Sequence, residues 1–328
     1  MNMELTYEQW QKSLRRRFST VGWILLAYYG IMNVAVFVAV FYEMIVKMML
    51  ALPGGGIDAI IEIAGEAMNS ARGYFLAAAV GLVILLCWKK PLYWKEEIWA
   101  KGKPMKPGSF FGILCIFISG QMVYQILTIV TELILNLFGL SIVEGMNAMA
   151  MDTDTFSMFL YAGVLAPITE EILFRGLIQR SLMPYGRKIA IFCSAFTFGI
   201  FHGNLVQSPY AFLVGLVLGY VASEYSIAWA MVLHMINKLV LADMLPRLTE
   251  GLGDIGSALV MWAVIAVFTI GAIVVLIVKR REISAWTHRE RMNKMCLKCF
   301  FSCPGMIILM VLMGLSMVLT AFMMIAPL

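Results

Sequence analysis

Long apolar stretches recur along the whole 328-residue chain, and they constrain its fold more than any other feature of the sequence. Hydrophobic residues make up 61% of the chain and charged residues only 14%, whereas a soluble domain averages about 25% charged residues. Runs of roughly 20 apolar residues cross a bilayer as helices, because lipid offers the backbone no hydrogen-bond partner. The sequence therefore predicts an all-α fold, a polytopic integral membrane helical bundle with about eight to nine transmembrane helices.

About nine segments qualify as candidate spans. They lie at 19–46, 73–88, 109–138, 155–182, 188–204, 208–223, 227–245, 255–278 and 305–327. We interpret residues 1–328 as a single membrane domain with N-terminal scaffold spans in 1–154, a polar core in 155–245 and C-terminal spans in 255–328. The last segment is either a ninth span or a re-entrant or interfacial helix.

The distribution of positive charge predicts the orientation of the bundle. Most of the 25 Lys and Arg residues fall in loops on the same side as the N-terminus. Because cytoplasmic loops are enriched in these residues, we expect a cytoplasmic N-terminus and location in the cell membrane. The aromatic and basic residues of segment 7–17, which precedes the first apolar run, predict a separate short interfacial helix. The expected surroundings are a lipid bilayer, and no basic and aromatic soluble module indicates a nucleic-acid partner.

Three of the six cysteines are closely spaced near the C-terminus. Cys296, Cys299 and Cys303 form a Cys-x2-Cys-x3-Cys pattern. A zinc or redox cluster is one interpretation of this spacing, but no second cysteine pair follows it. We favour reduced thiols at the cytoplasmic face of the membrane.

Two adjacent carboxylates lie inside the apolar segment 155–182. Glu171 and Arg175 are four residues apart, so they share a helix face and are expected to pair. Glu170 points about 100° away from Glu171. Charged groups at membrane depth are costly and mark functional sites by default. We expect the pair to neutralise one carboxylate and to leave Glu170 available as a general base.

Two histidines lie in the following spans. Phe198 and His202 are four residues apart, and the turn around Gly186 separates them from the glutamates. Glu171 and His202 are nearly the same number of residues from Gly186, so an antiparallel hairpin predicts that a glutamate and a histidine face each other.

The second of these histidines, His234, is followed by Asn237 and Lys238 near the same helix face. Imidazole, amide and ammonium groups are donors suited to stabilising an oxyanion. We expect Lys238 either to pair with one of the glutamates or to face the oxyanion.

These motifs resemble a known family. The order Glu-Glu-x-x-x-Arg, Phe-x-x-x-His and His-x-x-x-Asn/Asp is similar to that of the CPBP family, the CAAX-prenyl-protease and bacteriocin-processing membrane proteases, also called Abi proteins. The resemblance covers about residues 155–245. The matching residues are Glu170, Glu171, Arg175, Phe198, His202 and His234. The chain departs from the pattern at Lys238, where the family has Asn or Asp, and Asn237 is the neighbouring candidate.

The resemblance implies an intramembrane endopeptidase that acts on a membrane-associated peptide or protein. Glu170 would activate water, and His202 would help to hold that water. His234, with Asn237 or Lys238, would steady the oxyanion. The pair between Glu171 and Arg175 would organise the site.

The sequence leaves open whether a metal takes part in the reaction and whether the protein has one of two other functions. The family is widely described as metalloprotease, and a zinc ion held by Glu170, His202 and His234 would use a known ligand set, although a metal-free glutamate mechanism is the other interpretation. A non-catalytic immunity or scaffold protein of the same fold is one alternative function. A proton-coupled transporter that uses the same acids and histidines is another.

Overall fold

A computed structural model describes residues 7–50, 57–68, 70–88, 93–148, 153, 155–289, 292 and 294–327, and these are almost entirely helical. The helices are α1 (Tyr7–Leu50), α2 (Ile57–Met68), α3 (Ala71–Trp88), α4 (Pro107–Asn136), α5 (Val143–Ala148), α6 (Phe156–Tyr185), α7 (Arg187–Phe201), α8 (Gln207–Glu224), α9 (227–252), α10 (Gly253–Val278), α11 (Arg280–Arg289), α12 (Lys294–Ser302) and α13 (Pro304–Met324), with a π-helical turn at Trp94–Ile98. In the described residues, β structure is limited to the antiparallel pair of β1 (Leu140–Ser141) and β2 (Ala326–Pro327). The predicted all-α class is confirmed.

Six described stretches are long and apolar enough to cross a membrane. They are Glu8–Leu50, Ile63–Cys87, Pro107–Asn136, Phe156–Tyr185, Ile227–Val278 and Pro304–Met324. Ile227–Val278 contains two of the predicted spans, which Gly253 separates with a φ of 70°. Leu133, Val267 and Phe322 are each more than half exposed, as expected of side chains that face lipid. The protein is an integral membrane helical bundle, and the shorter α7 and α8 lie among its candidate spans.

Helix α1 runs without interruption from Tyr7 to Leu50. The prediction of a separate interfacial helix at residues 7–17 is therefore wrong. Residues 18–21 contain no glycine or proline that would end a helix after Arg17, and Phe18 and Val21 continue the buried face that Leu14 begins. The basic residues of this segment belong to the first turns of the first span.

Helices α6 and α7 form the predicted hairpin. Met183–Tyr185 is a 3₁₀ turn, and Gly186 follows with a φ of 119°, a conformation that side chains with a Cβ rarely adopt. The Ser194 hydroxyl donates to the Phe174 carbonyl at 2.8 Å, which joins the two helices in their buried centre. The hairpin places the glutamates of α6 beside the His202 end of α7.

The loops with most of the positive charge meet at one end of the bundle, around Glu224. Lys103 Nζ lies 2.9 Å from Glu224 Oε2, and Arg187 and Trp286 both donate to Glu224 Oε1. The Lys103 amide also donates to the Glu224 carbonyl at 2.8 Å. Loops that precede α4, α7 and α9 thus lie together with α11, as their assignment to one side of the membrane requires.

Glu224→Gln is expected to destabilise the protein by about 1–2 kcal/mol, because it leaves Arg187 and Lys103 without their carboxylate. Burial raises the pKa of the Glu224 carboxyl, but the hydrogen bond from Lys103 and the charge of Arg187 outweigh it and lower that pKa overall. This contribution is present above the unfolded pKa and is lost as the pH falls through the lower folded pKa. Thermal unfolding in detergent should therefore separate the two proteins at pH 7 and bring them together below about pH 4.

The C-terminal helix α13 crosses the whole bundle. Its first turn packs against α1, where the Gly305 amide donates to Ser19 Oγ at 3.1 Å. A Cβ on Gly22 would overlap the Gly305 backbone, so the two helices approach as closely as glycine allows. Its other end leads to β2, which pairs with β1 beyond the far end of α4. The last segment is long and apolar enough to cross a membrane, in agreement with the first of its two interpretations.

Candidate active site

The two glutamates lie where α6 changes its winding. Ala166–Glu171 is α-helical, and Ile172–Gln179 is π-helical. Helix α9 behaves in the same way, with α-helix up to Met235 and π-helix over Ile236–Met244. Segments of π-helix are rare and occur mostly at functional sites. The winding of α6 thus changes directly after Glu171, and that of α9 changes two residues after His234.

Glu171 and Arg175 form a fully buried ion pair. Arg175 Nη1 donates to Glu171 Oε1 at 3.0 Å, and both side chains have no exposed surface. Arg175 Nη2 also donates to the Gly215 carbonyl at 3.3 Å, and the guanidinium lies 4.2 Å from the ring centroid of Phe198. The pairing expected from the sequence spacing is present, and it neutralises the deeper of the two carboxylates.

His234 reaches both glutamates. Its Nδ1 lies 3.0 Å from Glu171 Oε1, and its Nε2 lies 3.8 Å from Glu170 Oε2. An ionised carboxylate only accepts hydrogen bonds, so Nδ1 carries the proton and donates it to Glu171. The other ring nitrogen is thereby oriented towards Glu170. The imidazole is 4% exposed, and its orientation is fixed by the ion pair behind it.

Glu170 is the more accessible of the two acids, with 32% of its side chain exposed. Its Oε2 atom is buried and accepts no hydrogen bond from the described residues. Tyr28 of α1 and Tyr161 of α6 lie within charge–charge range of this carboxylate. The sequence reasoning missed both tyrosines. Each tyrosine places a polar hydroxyl within an apolar span, which was the available signal for a site residue. The signal is weak, because tyrosine is common in such spans.

His202 is the C-terminal cap of α7. Its Nδ1 lies 2.8 Å from the Phe198 carbonyl oxygen and donates to it, which leaves Nε2 directed elsewhere. The Phe198 ring packs edge-on against His202 and against His234, with centroids 4.8 and 5.8 Å apart. His202 lies within charge–charge range of Glu170. Glu170 is therefore the glutamate near His202, whereas Glu171 turns to His234.

Asn237 takes part in a polar network with α4 and α8. Its Oδ1 accepts from the Tyr210 hydroxyl at 3.0 Å and from Gln121 Nε2 at 2.9 Å. Gln121 also donates to the Tyr210 hydroxyl at 2.8 Å, so three helices share one polar network. The oxygen of Asn237 thus joins α9 to α4 and α8, and the role with His234 that the sequence suggests for Asn237 stays a prediction. The polar amide of Gln121 within an apolar span was the available signal for this network.

Lys238 forms no ion pair with either glutamate among the described residues, which removes the first of its two expected arrangements. It lines a cavity of about 420 Å³ on the side of α9 towards α13. The lining residues are Tyr124, Met146, Thr153, Phe159, Ala162, Gly163, Asn204, Gln207, Lys238, Ala242, Asp243 and Met324. Lys238 is also in charge–charge range of His202, so it lies between this cavity and one of the two histidines.

The described side chains do not assemble a metal site. No group of three or more His, Cys, Asp or Glu residues in this part of the chain is arranged to hold an ion. Glu170, His202 and His234 therefore do not fit as a three-ligand zinc set. The buried thiols of Cys296, Cys299 and Cys303 lie near one another without such an arrangement, and burial raises the pKa of each.

Residues 152–240 match the family described as type II CAAX prenyl endopeptidase Rce1-like. This part of the chain is Rce1-like. It covers about a quarter of the sequence and includes all the candidate site residues predicted from the sequence motifs, from Glu170 to Lys238. The match confirms the resemblance to the CPBP family of CAAX proteases and supports a membrane protease. No curated protein and no solved structure matches the chain.

Proposed function

We propose that the protein is an intramembrane endopeptidase that hydrolyses a peptide bond with water activated by Glu170. One observation carries the proposal. His234 is held at Nδ1 by the buried Glu171–Arg175 pair, and its Nε2 is directed at the unpartnered Glu170 Oε2. The 3.8 Å between these two atoms is too long for a hydrogen bond and short enough for one water to bond to both.

The reaction follows from these positions. A water donates one hydrogen to Glu170 Oε2 and the other to His234 Nε2, which leaves a lone pair for attack on the substrate carbonyl. Glu170 accepts the proton as the C–O bond forms, and it returns that proton to the amine nitrogen as the C–N bond breaks. His202 lies on the same side of Glu170 and helps to hold the water. Both products leave with normal carboxylate and amine ends.

The donors that we assign to the developing oxyanion are the hydroxyls of Tyr28 and Tyr161, which lie near Glu170. A preorganised donor in a site that excludes water stabilises such a charge strongly. Asn237 is a further candidate, with its Oδ1 fixed by hydrogen bonds from Gln121 and Tyr210. We further propose that the N-terminus is cytoplasmic and that the protein is in the cell membrane, as the charge distribution favours.

The test is peptide cleavage in lipid nanodiscs with water enriched in ¹⁸O. One ¹⁸O atom in the new carboxylate of the product, found by mass spectrometry, is the expected result of direct attack by water. A parallel reaction with chelators measures any dependence on metal. A folded protein that cleaves no peptide in a broad library would favour the non-catalytic scaffold. Proton-coupled uptake of solute into proteoliposomes would favour the transporter.

Tyr28→Phe is expected to lower kcat about tenfold with little change in KM, since it removes one donor that acts in the transition state. The ring stays in place, and its contact with Phe201 at 6.3 Å between centroids is kept. Tyr29→Phe is the matched control, because Tyr29 packs on the same Phe201 ring at 5.4 Å. Equal activity of the two variants would show that the Tyr28 hydroxyl is not a catalytic donor and that the residue only packs beside the site.

A further inference from the structure

We propose that Lys238 binds a carboxylate of the substrate, so that the protein selects peptides that carry a carboxylate within one or two residues of the cleaved bond. This inference rests on the proposed peptidase function and adds a substrate class to it. The carboxylate belongs either to an acidic side chain or to the C-terminus of the peptide. In both cases the chemistry is that of an ammonium group binding an anion.

The charge of the cavity is the first observation. Its lining contains two charged side chains in the described part of the chain, Lys238 and Asp243. The Asp243 carboxylate is already bound, because Arg247 Nε lies 3.1 and 3.2 Å from its two oxygens and the Thr153 hydroxyl donates to it. Lys238 has no ion pair among the described residues. Among the described residues, the lining of the cavity therefore presents one positive charge without an ion-pair partner.

The surroundings of Lys238 strengthen the preference for an anion. The side chain is half-buried, and its neighbours in the cavity include apolar groups such as Phe159, Ala162 and Met324. A charge that is partly removed from water interacts more strongly with a partner of opposite charge than it would on an open surface. Neutral donors and acceptors such as Asn204 and Gln207 complete a lining suited to a peptide.

The position of Lys238 ties the cavity to the reaction. Lys238 lies four residues after His234 on α9 and within charge–charge range of His202. An extended peptide advances roughly 3.3 Å per residue, so a carboxylate at Lys238 belongs to a residue next to the scissile bond or one further on. The residue that departs from the family pattern thus faces the substrate.

The experiment uses four synthetic octapeptides of one apolar sequence. Two have a C-terminal amide and carry either Glu or Gln beside the cleaved bond, a third has Gln with a free C-terminal carboxylate, and a fourth has Lys with the amide. Cleavage by the wild type and by Lys238→Gln is measured in nanodiscs. We expect Lys238→Gln to lower kcat/KM about tenfold for a carboxylate peptide, through KM, and to leave the Gln amide peptide unchanged. Lys238→Glu should instead prefer the Lys peptide.

The four peptides also distinguish the two sources of carboxylate, because only one of the two acidic peptides is expected to lose affinity. Lys47→Gln is the matched control, since Lys47 pairs with Glu66 at 2.7 Å outside this cavity. An equal fall in kcat for all four peptides would make Lys238 a catalytic donor and overturn the inference. Unchanged kinetics for all four would overturn it as well.

A binding measurement separates this inference from the proposed function. Fluorescence anisotropy of the same labelled peptides is measured with Glu170→Gln and with Glu170→Gln combined with Lys238→Gln. A tenfold weaker affinity for the carboxylate peptide in the double variant supports the inference even if the wild type cleaves nothing, in which case the proposed peptidase function fails alone. Affinity that does not distinguish the four peptides overturns the inference.

Discussion

Glu170→Gln is expected to lower the rate of peptide hydrolysis at least about 10²-fold, the lower range of what a general base contributes. The amide keeps the size of the side chain but cannot accept a proton from water. The loss should appear in kcat, because binding of the peptide does not depend on the removed charge. Turnover measured by mass spectrometry with the peptides above gives the value.

Glu43→Gln is the matched control for this prediction. Glu43 is also a buried glutamate within a span, 8% exposed, and Arg72 lies 3.7 Å from it, away from the two histidines. Activity should be nearly unchanged in that variant. If Glu170→Gln retains normal turnover while Glu171→Gln does not, the base is Glu171 and the roles of the two acids are exchanged.

Arg175→Ala is expected to reduce the free energy of unfolding by about 3–5 kcal/mol, because breaking a buried ion pair leaves an uncompensated charge inside the protein. Arg175 is 1% exposed, and the variant also removes the donor to the Gly215 carbonyl and the cation over the Phe198 ring. Reversible unfolding in mixed detergent, or the temperature of thermal unfolding, measures this loss.

Arg281→Ala is the control, since Arg281 is exposed at the start of α11 and should cost little. Replacing both Glu171 and Arg175 with Leu should recover part of the lost stability, because no buried charge is then left unpaired. The same double variant should stay inactive, since His234 loses the carboxylate that orients it. If Arg175→Ala is as stable as Arg281→Ala, the ion pair between Glu171 and Arg175 is not important for folding.

The parts of this protein that depend on local sequence were predictable. Apolar runs locate the spans, and the glycine at 186 marks the turn between α6 and α7. The pairing of Glu171 with Arg175 follows from a spacing of four residues on one helix. These features are set by neighbours in sequence, which a single chain displays directly.

The remaining features depend on which helices pack together. His234 is 63 residues from Glu171, and nothing in the sequence states that it, rather than His202, contacts that acid. One of the hydrogen bonds that Asn237 Oδ1 accepts comes from Gln121, which is 116 residues away. Tertiary contacts of this kind are invisible to a reading of spacing alone.

The contact between α13 and α1 has a consequence for the order in which the protein matures. Tyr28, on the helix that carries Gly22, is one wall of the site, and α13 packs on the same helix through Gly305. Since α13 follows all the helices that carry the candidate site residues, a nascent chain lacks this support until α13 has left the ribosome. The contact between α1 and α13 then forms later than the contacts among the helices between them, which delays support of the helix that carries Tyr28.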